Sequence, residues 1–195
     1  MGVGSVATMP ASTVTLARTK TYSSDYLMPN LRNLQYTIDA LAAFPNQLNY
    51  FYGCFPHGFR NWKPPCWDGI PSERLTAIEQ ICHIFDVEVE GYQLRFSRIV
   101  SELAPELPDL SGEQMAIERK YATYDAHSVL QKFAEARAKT VEAVKRFSHD
   151  ELDRIGIFEN KRTTLAGMVH FLCSHDCQHL SGLQWLLGKL EQERQ

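Results

Sequence analysis

The stretch TTLAGMVHFLCSHDCQHLSGLQWLLGKL, residues 163–190, decides the fold. Leu165, Met168, Leu172, Leu183, Leu186 and Leu190 recur at the steps of one helix face, and Thr163 or Thr164 offers a capping hydroxyl at the start. Between Leu172 and Leu183 that face is filled by His175 and His179. Four residues turn an α-helix by about 400°, so both imidazoles leave one face a turn apart, where core leucines would be expected. Two neutral imidazoles aimed into a core need partners, and one metal ion satisfies both. His170 falls about 140° away from His175 around the helix. Cys173 and Cys177 share a face about 160° from the His pair, so they serve as small packing residues. The segment HDCQH differs from the HExxH motif of zinc peptidases, because Asp176 is shorter than the Glu that acts there as a base.

Three further helical stretches precede this one. Leu31, Leu34, Ile38 and Leu41 mark the first, and Pro45 suits a kink or the opening turn of another helix. Residues 56–73, rich in Pro and Trp, form a long aromatic loop that packs on something. Thr76 and Glu79 make a capping box. From it a single stripe runs through Leu75, Ile78, Ile81 or Cys82, Phe85, Val89, Tyr92, Phe96, Ile99 and Leu103, stopped by Pro105 and Pro108. Residues 104–122 read as a connection. Asp125 opens a helix with Val129, Phe133, Ala136, Thr140, Val144 and Phe147 on one side, and a polar link spans Ser148 to Asn160. No strand alternation of useful length is visible. The expected architecture is all-α: a flexible tail over 1–24 and a four-helix bundle over 25–192.

His83, in the middle of the capped helix, is the best candidate for a third ligand. Asp86 and Glu88 follow it as acids able to orient a ligand. The remaining composition is mostly exclusive. The 195 residues carry a net charge of -3, with no basic stripe for nucleic acid and no apolar run long enough for a membrane span. Five cysteines, an odd number in a chain of this size, argue against a disulfide framework and for a reducing, cytoplasmic location.

With these residues in place, the chain resembles the DinB-like (DinB/YfiT-type) superfamily of metalloenzymes. The segments that carry the likeness are TAIEQICHIFDVEVEGYQLR (76–95), the Trp-, Pro- and Gly-rich loop before it, and TTLAGMVHFLCSHDCQHL (163–180). The resemblance implies up-down-down-up helix order and a divalent ion held by His83, His175 and His179. It differs at Gly182, where many members carry Gln. Three neutral imidazoles would leave an open coordination position, so a hydrolase or a thiol S-transferase using a low-molecular-weight thiol would both be open. Zinc or nickel is expected first, manganese or iron next. A pocket lined by Trp62, Trp67, Tyr92 and Tyr124, with Arg95 and Asp176 nearby, would favour an enzyme acting on a small molecule. A site closed by Asp86, Glu88 or a fourth residue would favour a non-catalytic metal- or ligand-binding bundle. The aromatic stretch 50–67 and the resemblance also suit a homodimer.

Overall fold

The computed structural model describes Met1 and residues 34–193. The expected tail over 1–24, apart from Met1, and Leu31 of the first stripe lie outside the described residues. Helix α1 spans Gln35–Gly53 and buries Ile38, Leu41, Phe44, Leu48 and Tyr52, at three- and four-residue steps. Pro45 sits inside it, without breaking it. Helix α2, Ala77–Asp86, starts at Thr76, whose capping box with Glu79 ties up two early N–H groups. Helix α3 is Leu94–Ser101 and α4 is Gly112–Glu118. Helix α5, Ala126–Arg146, is capped by the Asp125 carboxylate on the Ser128 N–H. A short α6, His149–Leu152, precedes the long α7, Leu165–Glu193. The Thr164 hydroxyl accepts the Gly167 N–H at 3.0 Å, so of the two threonines it caps α7.

Helices α1 and α2 each pack against both α5 and α7. The core falls into two clusters. One gathers Leu48, Ile81, Phe133 and Leu186 with their neighbours; the other gathers Leu41, Ile99, Val141 and Leu172 with theirs. Between them lie buried Glu88, Arg137 and Asp176.

Two expectations are corrected. The single stripe from Leu75 to Leu103 is broken by a π-helical turn at Val87–Gln93, which joins α2 to α3. Its wider turn shifts the face, so Val87, Glu88, Tyr92 and Arg95 turn inward, whereas Val89 is 39% and Leu103 97% exposed. The link before the last helix, expected to be without strands, holds a hairpin: β1 Ile155–Phe158 pairs antiparallel with β2 Lys161–Thr164. Its turn residues Glu159 and Asn160 both have positive φ, 49° and 61°, the conformation that matches the twist of a two-residue hairpin. Strands of four residues and a turn without Gly leave little periodic signal. The Leu107 N–H donates to the Ile157 carbonyl and the Ile157 N–H to the Pro105 carbonyl, fastening the preceding connection to β1.

Arg137 is the buried junction of this architecture. Its guanidinium donates to both carboxylate oxygens of Asp176 on α7, at 2.5 and 2.9 Å, and to Glu88 on the π-turn at 2.9 Å. It also donates to the Leu41 carbonyl of α1, at 3.4 Å. That carbonyl is free because Pro45, four residues on, has no N–H to return to it. Arg137→Met would leave two buried carboxylates without their cation. It should lower the unfolding free energy by about 3–5 kcal/mol in denaturant melts, and adding Glu88→Gln and Asp176→Asn should recover much of the loss. A loss below about 1 kcal/mol for the single variant would contradict this role.

Candidate metal centre

Three imidazoles from two helices meet at one point. The His175 Nε2 lies 3.4 Å from the His83 Nε2 and 3.1 Å from the His179 Nε2. Ligand nitrogens around a tetrahedral ion with bonds of about 2.0–2.1 Å would stand roughly 3.3 Å apart. The three rings thus offer donors at coordination spacing. His83 and His179 are buried and His175 is partly so. Burial, reinforced by the neighbouring rings, lowers the pKa of His179 well below its usual range. Burial and the His83 charge likewise bring His175 down to about 3. For His175 and His179 this favours neutral imidazole, the form that binds metal.

Each ring is positioned by its surroundings. Gln80, one turn before His83 on α2, accepts a hydrogen bond from the His179 Nδ1 through its amide oxygen. That fixes the tautomer and leaves the His179 Nε2 lone pair facing the cluster. The Gln80 amide nitrogen donates to the Ser72 hydroxyl at 2.8 Å. Gly182 makes room for this pair: a Cβ there would lie 2.2 Å from the Ser72 Oγ and 2.7 Å from the Gln80 Nε2. Gly112 does the same for His83, whose ring would be 2.9 Å from an added Cβ.

A carboxylate completes the cluster. Glu73, in the loop running into the Thr76 cap, places its oxygens 3.3 Å from the His83 Nε2 and 3.2 Å from the His179 Nε2. Its burial raises the carboxyl pKa, but hydrogen bonding and attraction to His83 outweigh that and hold it below the usual range. Glu73 and Gln80 escape sequence reasoning for different reasons. Nothing in local spacing marks Glu73, whereas Gln80 stands three residues before His83 on the same helix face.

The other expected residues divide. Tyr92 and Arg95 line a cavity of about 530 Å³ that opens beside Glu73, His83 and His175. The Tyr92 ring centre is 5.9 Å from that of His175. Asp86 and Glu88, expected to orient a ligand, pair with arginines instead. Asp86 accepts from Arg119 at 2.7 Å and from the Tyr121 hydroxyl at 2.6 Å, and Glu88 accepts from Arg137. The π-turn carries Glu88 towards α5 rather than towards the imidazoles. Asp176 also serves Arg137, although burial raises its pKa to about 7 against the pull of that guanidinium. Trp62 and Trp67 pack on the core, Trp67 stacked on Trp185 of α7, and do not line this cavity. Tyr124 is 43% exposed, edge-on to Tyr121. His170 contacts the Thr37 hydroxyl. All five cysteines are free; Cys82 is buried in the core, its thiol pushed up to about 12 mainly by burial.

The donor set suits a divalent cation. Three imidazoles with a carboxylate beside them are donors that zinc and its neighbours accept.

Residues 35–182 match the DinB superfamily. No curated protein matches the chain. Among solved structures, YfiT from Bacillus subtilis, described as a probable metal-dependent hydrolase with an unusual four-helix bundle topology, is similar in fold. Its TM-score is 0.69 at 13% identity, over 90% of this chain and 94% of YfiT.

A pH dependence follows from His175. The unfolded chain protonates this ring near its ordinary value of 6.5, and the folded chain only near 3. Between those values the unfolded state binds more protons, so stability falls as the pH drops. In denaturant melts of metal-free protein at pH 7, 6 and 5, wild type should lose ground to His175→Gln by up to about 1.4 kcal/mol per pH unit below 6.5. Parallel profiles would contradict the buried, neutral ring.

Proposed function

The chain belongs to the DinB superfamily, and we propose that it is a metal-dependent enzyme whose His83, His175 and His179 hold one divalent ion, zinc or nickel first and manganese or iron next. The observation that carries this is that the His175 Nε2 lies at coordination spacing from both the His83 and the His179 Nε2, with the three ligand atoms within 4.8 Å of one another. When bound, such an ion supplies a Lewis acid that acidifies water or a small thiol. Glu73, ionised at neutral pH, accepts the proton that this nucleophile releases. Gln80 keeps the His179 Nε2 unprotonated. The cavity beside Tyr92 and Arg95 admits a small molecule rather than a polymer. Hydrolysis of an ester or amide and S-transfer to a low-molecular-weight thiol are the two chemistries proposed, and the likeness to YfiT supports the first.

Glu73 also supports a second reading. A carboxylate this close to two of the rings would, as a fourth ligand, close the site and make the bundle a non-catalytic metal binder. We place the helices in up-down-down-up order. In support, α1 and α7 enter the core from the cluster around Leu41 and Leu172, while α2 and α5 enter it from the cluster around Ile81 and Phe133. A cytoplasmic location fits the free cysteines, and exposed Tyr50 and Phe59 support a homodimer. Among the described residues no helix is long and apolar enough to cross a membrane.

Elemental analysis of His83→Ala, His175→Ala and His179→Ala should show loss of the ion in each. Retained stoichiometry in any one removes that residue from the ligand set. Glu73→Gln should keep the metal and lose turnover, screened with esters, amides and glutathione; loss of the metal would favour the closed, non-catalytic site. Gly112→Ala should weaken metal retention about tenfold or more by displacing the His83 ring, whereas Gly58→Ala, with nothing within 4 Å of the new Cβ, should not. Equal retention in both would show that the His83 position is not critical.

A further inference from the structure

Among the described residues two arginines are buried, Arg137 at 1% and Arg95 at 3% exposure, and only one of the two has its charge answered. Arg137 meets two carboxylates. The Nε and Nη2 of Arg95 both donate to a single backbone carbonyl, that of Pro108, at 2.9 and 2.7 Å. The Arg95 guanidinium lies over the Tyr92 ring at 4.8 Å and the Phe158 ring at 4.5 Å. Among the described residues it forms no ion pair; Asp109 and Glu159 act on it only at longer range, and both are exposed. A buried guanidinium without a counter-charge is costly to maintain, and burial already lowers its pKa.

The position explains what such a group can do. Arg95 lines the same cavity as Glu73, His83 and His175. Val87, Leu110, Phe158 and Phe171 supply apolar walls. At the rim, exposed Lys161 and Arg162 balance exposed Asp109 and Glu159, and solvent screens all four. The buried cation is therefore the charge that a bound molecule feels most. One planar guanidinium against aromatic faces suits a monoanionic carboxylate; a phosphate dianion would call for more donors than this wall provides.

We propose that Arg95 is a specificity-determining residue that captures the carboxylate of a small molecule with an apolar body, and so selects what reaches the histidine cluster. That the far end of this molecule reacts there rests on the metal-enzyme reading above; capture of the carboxylate by Arg95 does not. Part of Arg95's work is structural, through Pro108, so a test must separate binding from folding.

Sodium benzoate, an apolar carboxylate, is the probe, titrated calorimetrically into the protein as purified and again after chelation. One benzoate per chain should bind in both states. Arg95→Gln should weaken binding about tenfold or more with metal content unchanged. Arg95→Lys should fall between, and Lys161→Gln and Arg162→Gln should each change affinity less than about threefold. Benzoate binding that vanishes on chelation but survives Arg95→Gln would put the anion on the ion and overturn the proposal, as would absence of binding to wild type. Should Arg95→Gln fail to fold, the Arg95 side-chain Nε resonance of wild type decides. It should shift on benzoate addition, and an unmoved resonance would overturn the proposal. A protein that holds no metal yet binds benzoate through Arg95 would sink the metal-enzyme reading and leave this inference standing.

Discussion

A single guanidinium, that of Arg137, ties together the π-turn and three long helices of this bundle. It reaches Asp176 on α7, Glu88 on the π-turn and the Leu41 carbonyl on α1 from its own place on α5. Desolvating one cation and two carboxylates costs several kcal/mol per ion, so the arrangement is poor evidence for extra stability over an apolar core. What it supplies is registry. Asp176 follows His175 directly, so the bidentate contact fixes the rotation of α7 and, with it, where His175 and His179 point. Glu88 lies five residues past His83, and its contact fixes the far end of the helix that carries that ring. The same four groups that cross-link the helices thereby set the separation of the three imidazoles.

The histidine cluster sits between two apolar clusters, and the fixed helices alone do not complete it. Glu73 comes from the loop leading into the Thr76 cap, and that loop is anchored by Trp67 against Trp185 and by Ser72 against Gln80. The hairpin supplies Phe158 and, with Glu159, Lys161 and Arg162, part of the charged rim of the cavity. Helices place the three imidazoles, while two loops place the carboxylate and the cavity wall. A division of this kind lets the binding surface vary without disturbing the nitrogens.

Helical spacing carries what is regular in this chain and little else. The α7 stripe with His175 and His179 embedded in it, the Thr76–Glu79 box and the Asp125 cap are all legible, because each is set by a local periodicity or a short-range hydrogen bond. The π-turn is not, since one extra residue in a turn leaves no mark on composition, and it moved Val89 outward and Glu88 towards α5. The hairpin is hidden by its short strands. The partners of Asp86, Glu88 and Asp176 are arginines distant in sequence, so spacing suggested imidazoles instead. Arg137 follows Ala136 of the α5 stripe, and nothing in its spacing singled it out, because its partners lie 49 and 39 residues away.

The central claim is that three imidazole nitrogens, and no thiolate, hold one divalent ion. X-ray absorption of the metal-loaded protein tests it most directly. The account predicts a first shell of nitrogen and oxygen scatterers, with outer-shell imidazole scattering from three rings and, for zinc, metal–nitrogen distances of about 2.0–2.1 Å. A sulfur shell near 2.3 Å, which would bring Cys82, Cys173 or Cys177 to the ion, would contradict it.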